Sequence, residues 1–268
     1  MKIGNYDFNV KNNTYVMGIL NVTPDSFSDG GKWFNMDDAL RHCESMINEG
    51  ASIIDIGGES TRPGYKKISA GEEIERVIPV IDRIRSSFDI PVSVDTYKSE
   101  VAAEAVRHGA DMVNDIWGLK ADPEMGRVIA QSGAACCLMH NKSEAVYNDF
   151  TQDFVNETLE CVSLAKQAGI AEDRIILDPG IGFGKTYEMN LLVLRNLNKL
   201  TDKGYPVLLG CSRKSVIGLT LDLPADQRLE GTLVTTVSAV MSGCAFVRVH
   251  DVRENLRAIR MTRAILGK

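Results

Sequence analysis

The chain has 268 residues, 44% of them hydrophobic and 25% charged, with a formal net charge of -6. That composition supplies a globular core and argues against a nucleic-acid or anionic-membrane surface, because phosphates attract a basic footprint. No apolar run approaches the length that spans a bilayer, and the first, Val16–Leu20, is too short for a secretory signal.

A short β-hairpin is expected over Lys2–Val10, where Gly4, Asn5 and Asp7 are turn formers. Eight β-rich runs follow: Tyr15–Val22, Ser52–Gly58, Pro91–Thr96, Met112–Gly118, Ala134–His140, Ile175–Asp178, Val207–Ser212 and Ala245–Val252. Between them the apolar period becomes helical. Ile74, Val77, Ile78, Ile81 and Ile84 make one face, and Leu191, Leu194, Leu197 and Leu200 another. A third, Leu229, Leu233, Val237 and Val240, reads equally as barrel packing or as a subunit surface. Gly50, Gly109, Gly133, Gly169, Gly204 and Gly243 stand just before strands, as helix C-terminal caps do. Eight β/α units without a linker predict one α/β domain over 1–268, a (β/α)8 TIM barrel. A doubly wound open sheet is the competing architecture.

Six cysteines (Cys43, Cys136, Cys137, Cys161, Cys211, Cys244) form no Cys-x-x-Cys pair and read as reduced, buried thiols, so a cytoplasmic location is expected. The four histidines form no metal motif.

Polar residues at barrel strand ends converge on one pocket. Here they are Asn21, Asp55, Asp95, Asn114, His140, Asp178, Ser212-Arg213-Lys214-Ser215, Arg248 and His250. Strand alternation pairs Ser93 with Asp95, Met112 with Asn114 and Arg248 with His250, and puts Asp115 opposite Asn114. Asp115 is therefore expected to satisfy nearby backbone. Asp55 reads as either a paired structural group or a ligand contact. Asp95, Asn114 and Asp178 suit a flat nitrogen heterocycle. Lys214, Arg248 and His250, on the last two strands, suit an anion.

The stretch Asp178-Pro-Gly-Ile-Gly-Phe-Gly-Lys185-Thr186 is not a P-loop, which needs glycine where Pro179 stands, nor a dinucleotide fingerprint. Its glycines let backbone approach a ligand, with Phe183 as an aromatic wall. Two loops are expected to be lids: residues 21–31, carrying Asp25, Phe27, Ser28 and Asp29, and residues 57–64.

Across nearly the whole chain these segments, with Val94-Asp-Thr, Val113-Asn-Asp, Leu138-Met-His, Ser-Arg-Lys-Ser and Arg248-Val-His-Asp-Val, resemble the dihydropteroate synthases. The resemblance implies a TIM-barrel transferase that condenses 6-hydroxymethyl-7,8-dihydropterin pyrophosphate with p-aminobenzoate in folate synthesis. It also implies Mg2+, a homodimer and sulfonamide sensitivity. By motif position the pterin would meet Asp95, Asn114, Met139, Asp178 and Lys214. The p-aminobenzoate would meet Thr61, Arg62, Pro63, Phe183, Lys214 and Ser215. The pyrophosphate would meet Asn21, Arg62, Arg248 and His250, with magnesium near Asn21. Asp95, Asp178, Lys214, Arg248 and His250 would carry catalysis by stabilising charge, without a general base. The chain departs from the common pattern at Asn141-Lys142 and at Val216, where an aromatic often stands. A methyltetrahydrofolate:corrinoid methyltransferase and a non-catalytic pterin-binding paralogue are the alternatives.

Overall fold

Short β-branched runs separated by helices can bury both faces only as a parallel sheet wrapped by those helices, and the computed structural model has that form. It describes residues 1–23, 36–60 and 67–267. A two-stranded antiparallel hairpin, β1 (Lys2–Ile3) and β2 (Tyr6–Asp7), comes first. The barrel strands are β3 (Tyr15–Asn21), β4 (Ile53–Gly57), β5 (Val92–Asp95), β6 (Met112–Asp115), β7 (Ala135–Met139), β8 (Ile175–Asp178), β9 (Leu208–Leu209) and β10 (Phe246–Val249). They pair in parallel in the order β8-β7-β6-β5-β4-β3-β10-β9. A parallel bridge between Leu177 and Val207 closes the ring, so the sheet is a barrel and not an open doubly wound sheet.

The helices are α1 (Met36–Glu49), α2 (Ala70–Ser87), α3 (Ser99–Arg107), α4 (Met125–Ser132), α5 (Phe150–Gln167), α6 (Tyr187–Arg195), α7 (Asn198–Thr201), α8 (Ser215–Leu221), α9 (Leu229–Met241) and α10 (Val252–Ile265). Side-chain oxygens accept from the first-turn amides at three starts: Ser69 from Glu72, Asp149 from Gln152 and Thr186 from Met189. All six predicted cap glycines have positive φ, between +68° and +102°.

Outward strand residues such as Val16, Ile54, Val94, Val113 and Leu138 pack against the buried helix faces. Inward residues Met17, Ile53, Met112, Cys137, Ile176, Leu208 and Phe246 fill the lower barrel, where Ile3 and Phe8 of the hairpin segment close it. All six cysteines are free and buried. Among the described residues no helix is long and apolar enough to cross a membrane.

Three expectations are revised. The Leu191–Leu200 face is not one helix but α6 and α7, broken at Asn196, whose φ of -122° leaves the helical region. Helix α9 buries Thr232, Thr236, Ala239 and Val240, while Leu229, Leu233 and Val237 are only half-buried and Val234 is exposed. Strand β6 stops at Asp115 instead of reaching Gly118, because the Asp115 carboxylate accepts from the backbone N–H of Trp117 (2.8 Å) and Leu119 (2.7 Å) and turns the chain.

Candidate functional site

Strand register sets the first layer of the site. Asn21 pairs with Gly57, Gly57 with Asp95, and Asp95 with Asn114; further round, Met139 pairs with Asp178. Inward-facing polar groups therefore stand at the C-terminal ends of four strands, β3, β5, β6 and β8. Gly57 leaves the space between them open: a methyl there would sit 3.6 Å from Asn21 Oδ1 and 3.7 Å from Asp95 Oδ2. Asp95, Asn114, Met139 and Asp178 are all buried.

One step deeper is Asp55, fully buried. Its Oδ2 accepts from Arg248 Nε (2.5 Å) and from Asn114 Nδ2 (3.2 Å). Arg248 Nη2 also donates to Asp95 Oδ2 (2.6 Å). The ring is thus less divided than its composition suggests, because the arginine assigned to the anion corner lies across two acids. Asp55 Oδ1 and Asp95 Oδ1 are left buried without a partner among the described atoms. Such atoms are costly unless a ligand or water completes them.

The pKa shifts follow from that enclosure. Burial pushes the Asp95 carboxyl up to about 7, against the pull of Arg248 and with the push of Asp55. Burial also raises Asp178, opposed by Lys214 and the Gly180 N–H. Lys214 is lowered by burial despite Asp178. Arg248 loses to burial but gains more from Asp55 and Asp95, which keep it charged.

The glycine stretch after β8 makes the next wall. Asp178 Oδ1 accepts from Gly180 N (2.7 Å). Lys214 Nζ donates to the Ile181 carbonyl (2.6 Å) and lies 4.7 Å from the Phe183 ring centroid. Ser215, the exposed first residue of α8, follows directly. His250 Nδ1 is 3.0 Å from Ser212 Oγ. Arg213 turns away, at φ +58°, to pair with Asp251.

His140 does not join the ring. It follows inward-facing Met139, so alternation turns its side chain outward, where Nε2 meets Glu157 of α5 (2.9 Å). Asn141 donates to the Ile116 carbonyl (2.9 Å) and Lys142 to Glu157 (2.6 Å), which accounts for that departure from the common pattern. Val216 is buried on the outer side of α8. Asp25, Phe27, Ser28, Asp29, Thr61, Arg62 and Pro63 lie outside the described residues. The bases of the second loop are anchored: Glu59 accepts from Ile68 N (2.9 Å), Tyr97 Oη (2.9 Å) and Lys98 Nζ (2.7 Å), and Lys98 also reaches Glu73 (2.5 Å). Sequence reasoning missed Glu59 and Lys185; an acid within the second lid and a lysine closing a glycine run were the available signals.

Among the described residues no group of three or more His, Cys, Asp or Glu could hold a metal. Asn21 Oδ1 at the open face of Gly57 fits a magnesium that takes few protein oxygens and fills its sphere with phosphate and water.

Residues 17–250 match the model of a family described as pterin binding enzyme. The chain is similar to a dihydropteroate synthase of Clostridium beijerinckii, 55% identical with all of both chains covered. A crystal structure of dihydropteroate synthase from Clostridium difficile in the presence of pteroic acid superposes with TM-score 0.95 at 51% identity, covering 98% of this chain and 100% of that one. One from Xanthomonas albilineans with 4-aminobenzoic acid gives TM-score 0.91 at 40% identity, covering 96% and 94%. The chain belongs to the pterin-binding enzymes and, within them, to the dihydropteroate synthases.

Proposed function

We propose that this protein condenses 6-hydroxymethyl-7,8-dihydropterin pyrophosphate with p-aminobenzoate, forming 7,8-dihydropteroate and releasing pyrophosphate. The observation that carries the reading is the buried Asp95–Asn114–Asp178 set, with Asp95 Oδ1 unpartnered, beside Lys214 and Arg248. The relatives bound to pteroic acid and to 4-aminobenzoic acid support both halves of the reaction.

The pterin ring lies against Met139, its amino group and ring N–H donating to Asp95 and Asp178 while Asn114 completes the edge. Phe183, Ser215 and the stem of Lys214 face the arylamine, and Thr61, Arg62 and Pro63 are assigned to it by motif position alone. Arg248, His250, Asn21 and Lys214 receive the pyrophosphate. As the C–O bond to pyrophosphate breaks, positive charge grows on the pterin methylene, and Asp95 and Asp178 stabilise it through the ring. The amine nitrogen attacks the methylene and then loses a proton to solvent; a neutral arylamine needs no strong base. Asn21 would hold a magnesium ion, which when bound would neutralise charge on the leaving group.

A second copy of the chain is proposed as the partner. An apolar groove of about 330 Å³ runs along the outside of α6, α8 and α9, lined by Leu191, Leu194, Val216, Ile217, Leu221 and Val234. Exposed Leu219 stands on the same helix as Val216 and Ile217. An open apolar face of this kind suits a subunit interface. The six free, buried thiols support a reducing, cytoplasmic setting, and the similar Yersinia pestis dihydropteroate synthase solved with a sulfonamide drug, 39% identical, supports sulfonamide sensitivity.

Pyrophosphate release, measured with both substrates and with each alone, tests the reading. It is expected only with both. Release without p-aminobenzoate, or turnover within tenfold of wild type in Asp178→Ala or Arg248→Ala, defeats it; pterin binding without release identifies the non-catalytic alternative.

A further inference from the structure

Lys185 closes the glycine run after β8, and the P-loop reading excluded by Pro179 leaves it without a role. Its ammonium is enclosed. Nζ donates to the carbonyls of Gly180 (3.0 Å) and Phe183 (3.0 Å), is 2.7 Å from His140 Nδ1, and is 3.4 Å from the His140 carbonyl. A lysine carries no acceptor, so His140 Nδ1 accepts and the ring proton sits on Nε2, donating to Glu157. Lys142 donates to the other Glu157 oxygen. A line of alternating charge and dipole therefore runs from the loop through the end of β7 to α5.

The loop is seated where only glycine fits. A Cβ on Gly180 would stand 2.0 Å from the His140 carbonyl oxygen, and one on Gly184 would stand 2.6 Å from that of Lys142; both residues have positive φ. Tyr147 Oη donates to the Gly184 carbonyl (2.7 Å) from the far side. Between these anchors, the loop presents the Ile181 carbonyl to Lys214 and the Phe183 ring to the same ammonium. Asp178, by contrast, takes its backbone place from its strand pairing with Met139, and its one bond to the loop is from the Gly180 N–H (2.7 Å) at the strand end.

We propose, resting on the function proposed above, that Lys185 is a positioning residue for the arylamine half of the reaction. By gathering the Gly180 and Phe183 carbonyls onto one ammonium, it fixes the stretch that carries Phe183 and holds Lys214. The pterin half is left to the strand-borne acids.

Burial lowers the Lys185 pKa to about 7, with Asp178 and Glu157 raising it and Lys214 lowering it. The groups facing it are His140 and Lys142 at the end of β7, Glu157 and Phe154 on α5, Asp178 on β8, and Lys214 before α8. Above that pH a neutral amine has two N–H groups for acceptors that three served, and the loop loosens. Neither ionisable group of p-aminobenzoate titrates there.

The test is steady-state kinetics and calorimetric binding of 6-hydroxymethyl-7,8-dihydropterin, which lacks the pyrophosphate assigned to Lys214, on wild type and Lys185→Met. The variant is expected to raise KM for p-aminobenzoate at least fivefold, with pterin affinity within twofold. Wild-type KM for p-aminobenzoate, at saturating pterin, is expected to rise at least threefold from pH 6 to 8.5, and the variant to be flat. An unchanged KM for p-aminobenzoate in the variant, or pterin affinity falling in parallel, overturns the proposal. If Lys185→Met does not fold, Lys185→Arg, which stays charged to pH 8.5, decides: a flat profile beside a rising wild type supports the role, and a parallel rise overturns it. A wild type that releases no pyrophosphate overturns the functional reading and this one with it; wild-type turnover with an unaltered variant overturns this one alone.

Discussion

Arg248 Nε and Asp55 Oδ2 lie 2.5 Å apart inside the barrel, joining residues 193 positions apart in the chain. The pair explains why a basic residue can stand in an acidic pocket: Asp55 is its counter-ion, and Asp95 shares it. A guanidinium with one fixed carboxylate can release the other to a ligand without becoming unpaired.

Breaking that pair is costly because the acids remain buried. Arg248→Met is expected to lose about 3–5 kcal/mol of stability in urea unfolding, since two carboxylates are stranded. Adding Asp55→Asn should restore about 1 kcal/mol or more, the coupling typical of residues in one network. Additive losses would show that Asp55 and Arg248 act independently.

Acid stability should depend on His140. Burial and the neighbouring Lys185 hold its pKa down to about 2, from the usual 6.5. Below about pH 6.5 the unfolded chain takes up a proton that the folded one refuses. Stability present at neutral pH is then lost as pH falls, by up to about 1.4 kcal/mol per pH unit. His140→Asn, which keeps an acceptor near Lys185, should flatten the stability profile between pH 6 and 4.5 relative to wild type. Parallel profiles would assign the acid sensitivity elsewhere.

The anchor beneath the second loop depends on Lys98. Its ammonium serves Glu59 and Glu73, whose side chains are almost wholly enclosed. Lys98→Met is expected to cost about 3 kcal/mol by leaving buried acids unpaired. The deficit should be smaller at pH 5 than at pH 8, because burial already raises Glu73 and protonation relieves it. A pH-independent deficit would point to lost packing in place of lost charge.

The groove of α6, α8 and α9 can be tested by size. Val234, 69% exposed, lines it. Val234→Asp should shift sedimentation from dimer to monomer with little change in thermal stability, since a surface charge on an exposed helix position is nearly neutral in the monomer. A wild type that sediments as a monomer would remove the dimer proposal.

The eight strands, the capping glycines and the polar ring were legible because period-2 runs, glycines and strand ends are local signals. Asp115 was read correctly for the same reason: alternation alone turned it from the pocket. His140 was misplaced although the rule that sorted Asp115 also sorts it from Met139. Asp55 stayed ambiguous because its partner lies on the opposite end of the chain, and no spacing reports a cross-barrel ion pair. Lys185 was hidden by its motif, since its acceptors are backbone carbonyls that leave no trace in side-chain pattern. The break between α6 and α7 was missed because leucines continue through it in register.

The plug formed by Ile3 and Phe8 beneath Met17, Ile53 and Phe246 makes the site a well with a floor. Among the described residues the floor is closed, and the strand ends that carry the polar ring lie at the opposite end. On the proposed function, the pterin meets groups at the strand ends and the arylamine meets Phe183 on the loop after β8. On that reading the occupant of the depth arrives before the upper berth is filled, and the product leaves by the end away from the floor.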